Sequence, residues 1–212
     1  MERTIMFPTT QHSATNLATA LTESKVAQTT SAGSKAFLKF DFKSGDFCFG
    51  REAEDITGQK IVINTYSITH GWVMWVNGSP KKEMVAFNES LPAAPAPVAG
   101  NEASEGRGFE ARFLGEESAE TILSFESNSY GGRQGVDSLL SEIKSRAMSG
   151  EQNFLFPVVQ LTSSSYKSKQ GSTIHNPKFM IVDWLDLNGE SETGATSEPQ
   201  EEEAPTVRRR KA

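Results

Sequence analysis

The chain has 212 residues, 36% of them hydrophobic, with 1 cysteine, 3 histidines and a formal net charge of −6. That length allows one large domain or two small ones, and the modest apolar content predicts that part of it stays unfolded. A single thiol excludes an internal disulfide, and no apolar run approaches the roughly 20 residues that cross a bilayer or forms a signal-type core, so a cytoplasmic protein without a membrane partner is expected.

Residues 1–35 are rich in Thr, Ser, Ala and Gln and carry too little apolar surface to fold alone. A disordered arm is predicted there. A β part follows over 36–91. In Phe37 to Lys43, apolar Leu38, Phe40 and Phe42 alternate with Lys39, Asp41 and Lys43, the period-two pattern of a half-buried strand. Ser44-Gly45-Asp46 reads as a turn, and Phe47-Cys48-Phe49 as the returning strand of a hairpin. Lys60 to Asn64 and His70 to Val76 are further strand candidates. Trp72 and Trp75 are expected on opposite faces of the second, one of them in the core. Asn77-Gly78 favours the positive φ angles of a tight hairpin turn, leading to a strand over Glu83 to Phe87.

Residues 92–107 alternate Pro and Ala and then turn small and polar, the composition of a linker between two compact parts. The second part is expected over 108–187. Phe109 to Leu114 and Thr121 to Ser127 read as strands, and Ser129 to Gly132 as a turn. A helix is predicted from Gly135 to Met148, because Val136, Leu139, Leu140 and Ile143 fall on one stripe and Gly150 offers a stop. Phe156 to Thr162 and Lys178 to Leu187 are the last strands. Both are apolar on both faces, which predicts central placement. The fold class is thus β-rich α+β, an all-β hairpin part followed by strand-strand-helix-strand-strand, an order compatible with an OB-like barrel.

A disordered acidic tail with a basic end is predicted over 188–212. Glu190, Glu192, Glu198, Glu201, Glu202 and Glu203 account for the formal −6, and Arg208 to Lys211 closes the chain. The folded surface is therefore close to neutral, and overall charge does not define a partner.

His12, His70, His175 and Cys48 show none of the short spacings of a zinc site, so no metal and no cofactor are expected. Neither a nucleophile-elbow nor a phosphate-loop pattern occurs. Glu142-Ile143-Lys144 matches a nuclease-like fragment but lies on a helix whose Ile143 faces inward, and it reads as a solvated helix face. Asp41, Asp46 and Asp55 fit turn and surface roles. A non-enzymatic protein is expected. Two features point to binding. Tyr130 to Gly135 brings glycines and Arg133 to a helix start, where free backbone N–H groups hold phosphate or where an ordinary loop simply ends. The stretch from Gln152 to Val182 contains Lys167, Lys169 and Lys178 and no acid, with Phe154, Phe156, Tyr166 and Phe179 interleaved. Single-strand binders combine cations that follow phosphates with rings that stack on bases. Phe156 and Phe179 are expected in the core, whereas Tyr166, between Ser163-Ser164-Ser165 and Lys167-Ser168-Lys169, is expected on an exposed hairpin.

The blocks Tyr66 to Trp75, Tyr130 to Arg133, Pro157 to Leu161, Ser165 to Lys167 and Pro177 to Trp184 resemble a family of tailed-bacteriophage early-region proteins, largely uncharacterised. The resemblance covers about Phe37 to Leu187. It implies a place in DNA replication or recombination inside an infected cell and transfers no catalytic residue. The acidic tail is similar to the protein-recruiting tails of single-strand binding proteins, except for its basic end. The expected function is single-stranded DNA binding or a replication or recombination accessory role. Arg133, Tyr166, Lys167, Lys169 and Lys178 would form the site, with replication or recombination proteins as partners through the tail. Oligomeric state and DNA versus RNA preference stay open. The alternatives are a protein-interaction or host-modulating protein acting through Trp72–Trp75, and a metal-dependent nuclease with a dispersed site.

Overall fold

The computed structural model describes residues 35–114, 121–150 and 153–192. The expected arm, and the expected tail from residue 193 onward, lie outside the described residues.

Among the described residues nine strands and one helix follow in the order β1 (Lys35–Phe40), β2 (Phe47–Phe49), β3 (Glu54–Asp55), β4 (Lys60–Val76), β5 (Ser79–Ala86), β6 (Ser104–Phe113), β7 (Ile122–Ser127), α1 (Tyr130–Met148), β8 (Phe156–Lys167) and β9 (Thr173–Leu185). This is the β-rich α+β class expected. All nine strands belong to one mixed sheet, ordered β3-β2-β1-β7-β6-β4-β8-β9, with β5 added to β4. The ladder does not close into a barrel. It ends at β3 and β9, although one backbone bond crosses the gap: His175 N–H of β9 donates to the Phe42 carbonyl, just past β1, at 2.8 Å. The β4–β8 pairing is prolonged before Lys60, where Gly58 N–H donates to the Leu161 carbonyl at 2.8 Å and Leu161 N–H to that of Gln59 at 3.0 Å.

The two stretches expected to be strands at 60–64 and 70–76 are one strand. Its register on β6 shifts between Asn64 and Thr69, so a single irregularity separates the two apolar runs. On its other side β4 pairs with β8 through Lys60–Val62 and with β5 through Thr69–Val76. The hairpin turn falls where expected, with Asn77 at φ 51° and Gly78 at φ 78°.

The expected division into two compact parts is not found. β4, from the first part, is the central strand between β6 and β8 of the second. Residues 104–107, read as linker, are the first residues of β6. One core draws on both sides of the boundary. Leu38, Phe47, Ile61 and Ile63 pack with Phe109, Leu123, Phe125, Val136, Leu139, Val159, Leu161 and Phe179. The Pro-rich stretch is strapped down instead of hanging free. The Trp72 indole N–H donates to the Pro92 carbonyl at 2.8 Å, and the His70 ring lies 2.9 Å from the Glu89 carbonyl. Neither tryptophan is in the main core: Trp72 is half-buried, and Trp75 is 53% exposed opposite Pro80.

The predicted helix stripe is the one that enters the core, with Val136, Leu139 and Ile143 buried and Leu140 packed at its margin. Past its end Gly150 takes φ 89°. β8 lies inside the sheet as expected, but β9 is its last strand. The second apolar face of β9 has two explanations. Leu185 joins Val62, Phe156 and Val158 in a smaller cluster, while Met180 and Val182 remain exposed. The fold also runs past the expected start of the tail, because Glu192 N–H donates to the Trp184 carbonyl at 3.0 Å and Arg146 pairs with Glu192 at 2.7 Å.

Candidate nucleic-acid interface

The β8–β9 hairpin holds four of the five residues expected to form a binding site. β8 runs five residues past its predicted end, through three serines, because Ser163 to Lys167 pair in continuous register with Thr173 to Pro177. Its polar end leaves the core and stands in solvent. The turn is closed by Ser168 N–H to the Ser172 carbonyl at 2.8 Å and Gly171 N–H to that of Ser168 at 2.9 Å. Tyr166 is 51% exposed, as expected, whereas Phe156 and Phe179 are buried in the core.

Register decides which side chains share a face, since directly opposed residues point the same way and neighbours along a strand alternate. Tyr166 opposes Ile174, and Thr162 opposes Lys178. The ring and the Lys178 ammonium therefore belong to one face. Lys167 opposes Thr173 on the other, together with Ser165–His175 and Leu161–Phe179. That second face is the one that enters the core farther down. Lys169 sits in the exposed turn between them. The hairpin carries its cations on both faces and at its tip.

These lysines differ from several other cations of the described fold. Lys35 pairs with Glu110 at 2.7 Å, Lys82 with Glu126, and Arg107 with Asp137 at 2.9 Å and Glu105 at 3.2 Å. Carboxylates of β6, β7 and α1 thus neutralise these cations. Lys167, Lys169 and Lys178 have no carboxylate partner among the described residues, and there is no Asp or Glu from 153 to 182. Their charge is available to an external anion.

Arg133 does not join them. It lies in the first turn of α1, and its guanidinium reaches Glu105 at 3.4 Å. The expected glycine-rich approach to the helix is itself helical. Ser129 caps it, accepting from Gly132 N–H at 3.1 Å. The glycines let the helix lie against β9. A Cβ on Gly131 would stand 2.0 Å from Asn176 Oδ1, and one on Gly135 would stand 2.7 Å from the Pro177 carbonyl oxygen. Close packing accounts for the glycines.

A neighbour that sequence reasoning set apart from the hairpin is the β1–β2 turn, with Phe42 and Lys43. The bond from His175 to Phe42 places it beside β9. No local pattern announces such a contact between residues more than 130 positions apart. Among the described residues no three of His, Cys, Asp and Glu are grouped so as to hold a metal ion, and no helix is long and apolar enough to cross a membrane. Set against protein-family models, curated proteins and solved structures, the chain matches none.

Proposed function

We propose that this chain is a non-catalytic single-stranded nucleic-acid binding protein that engages its ligand through the β8–β9 hairpin. The observation that carries the reading is one protruding hairpin that brings together an exposed tyrosine and three lysines without a carboxylate partner among the described residues. Phosphates would be met by Lys167, Lys169 and Lys178, and a base would stack on Tyr166. Arg133, held by Glu105, contributes from a distance at most.

Strand order supports the same reading. Taken alone, β4, β6, β7, β8 and β9 are adjacent in the order β7-β6-β4-β8-β9, with α1 between β7 and β8. Numbered from β4, this is third-second-first-fourth-fifth with a helix after the third strand, an OB-like arrangement to which β1, β2, β3 and β5 are added. Oligonucleotides bind OB folds at the second and third strands and at the loops joining first to second and fourth to fifth. The β8–β9 hairpin is the fourth-to-fifth connection. Service to phage replication or recombination, with partner proteins recruited by the acidic tail, is the setting we infer for it.

The test is a titration of the full chain with a fluorescent oligothymidylate and with duplex DNA, over a salt series. Binding to the single strand that weakens as salt rises, with weaker duplex binding, is expected. Absence of salt-dependent single-strand binding would sink the proposal.

A further inference from the structure

We infer that the β1–β2 turn is a second jaw of this site, with Phe42 a second stacking ring and Lys43 a further phosphate contact. This inference rests on the function proposed above. It adds residues outside the five strands of the OB-like unit.

Three observations carry it. First, the turn is fastened to the hairpin. His175 N–H donates to the Phe42 carbonyl at 2.8 Å, and Gly45 packs so closely that a Cβ there would lie 2.5 Å from His175 Nδ1 and 2.9 Å from Ser163 Oγ. Gly45 also has φ 87°, a conformation that side chains disfavour, so the turn geometry and the contact both call for glycine. Second, the turn meets the Lys167 face of the hairpin, because His175 and Ser163 belong to that face by register. Tyr166 is on the opposite face, and the His175 ring is half-buried, which leaves Lys167 with no exposed ring on its own face. Third, Phe42 supplies one: it is 54% exposed and takes no part in the core.

Lys43 follows Phe42 and is exposed. The nearest acid in sequence, Asp41, uses its carboxylate on the Lys43 backbone N–H at 2.8 Å. Asp46 is half-buried at the far side of the turn, where its carbonyl accepts from Asp41 N–H at 2.9 Å. No carboxylate among the described residues pairs with the Lys43 ammonium. Phe42, next to β9, is separated from Tyr166 on β8 by about two inter-strand spacings, roughly 10 Å. A flexible single strand passing round the hairpin tip would meet Tyr166, Lys169, Lys167 and then Phe42. A stiff duplex could not follow that path.

The experiment measures oligothymidylate affinity and its salt slope for Phe42→Ala, Phe42→Leu, Phe42→Trp, Lys43→Ala and Tyr166→Ala in the full chain, with thermal midpoints alongside. Phe42→Ala and Phe42→Leu are expected to bind about 5- to 150-fold more weakly with unchanged slope, the range for one lost base stack. Phe42→Trp should bind like the parent, and Lys43→Ala should lower the slope by about 0.7. If Phe42→Leu binds like the parent, the ring is packing filler and the inference fails. It also fails if the Phe42 and Lys43 variants are unaffected while Tyr166→Ala is weakened, a result that leaves the proposed function standing. A parent chain that binds no single strand would remove both.

Discussion

Tyr166 and the lysines around it should separate into two phenotypes. Lys167→Ala combined with Lys169→Ala removes charge, so each lost phosphate contact should flatten the log–log salt slope by about 0.7. Tyr166→Ala removes a ring, which should cost roughly 1–3 kcal/mol of binding with little change in slope. Salt-series titrations distinguish them, and both variants should keep the parental unfolding midpoint because these side chains are exposed. Arg133→Ala offers a contrast. Its guanidinium is already paired with Glu105, so its loss should leave the slope nearly unchanged. A second single-residue prediction concerns Cys48. Burial raises the pKa of its thiol, and Asp55, Asp46 and Asp41 raise it further. Asp55 opposes Cys48 across β2 and β3, and hydrogen bonds from Thr57 hold the Asp55 carboxyl below its ordinary value and hence charged. The thiolate is disfavoured, so alkylation by iodoacetamide should rise at a higher pH than for a free cysteine. Asp55→Asn should shift that rise to lower pH without abolishing it, because burial remains.

At the scale of the element, α1 offers the clearest opposition of effects. Gly135→Ala should gain up to about 1 kcal/mol of helix propensity. The same methyl would stand 2.7 Å from the Pro177 carbonyl oxygen, and backbone cannot rotate away. Overpacking of this kind costs about 1–3 kcal/mol, so the variant should be destabilised, as urea unfolding would record. Elements whose apolar pattern is local were legible in the sequence: the helix stripe Val136, Leu139 and Ile143, the Asn77-Gly78 turn, and β2 to the residue. Those whose cause is distant were not. Ser163 to Lys167 carry no apolar alternation and become a strand only because Thr173 to Pro177 lie opposite. The join of 60–64 to 70–76 depends on β6, which holds both halves of β4 across the shift in register. The candidate site was legible in composition, as a basic and aromatic strip without acids. The separation of Lys167 from Tyr166 onto opposite faces needed the register, and the exclusion of Arg133 needed Glu105.

For the molecule as a whole, composition misled where topology ruled. Proline and alanine over 92–107 look like a separator, yet the chain on either side shares one sheet and one core. A fragment of residues 108–187 lacks β4, the strand between β6 and β8, and should be unfolded by circular dichroism. By contrast, a single backbone cut between Ala93 and Ala103 in the intact protein should leave the two pieces co-eluting in gel filtration, because β4 stays paired with β6 and β8. Separation of the pieces under native conditions would restore the two-part view.

The central position of β4 also sets a schedule for the nascent chain. One edge of its N-terminal half waits for β8, where Lys60 pairs with Gln160. About 100 further residues must be made first, roughly 5–20 s of synthesis at ordinary rates. Throughout that interval an apolar strand edge containing Ile61, Val62 and Ile63, all fully buried at the end, stands open to other chains. Slowing the ribosome between β7 and β8 should therefore increase the aggregated fraction in the expressing cell, while shielding of that edge by a chaperone should lower it.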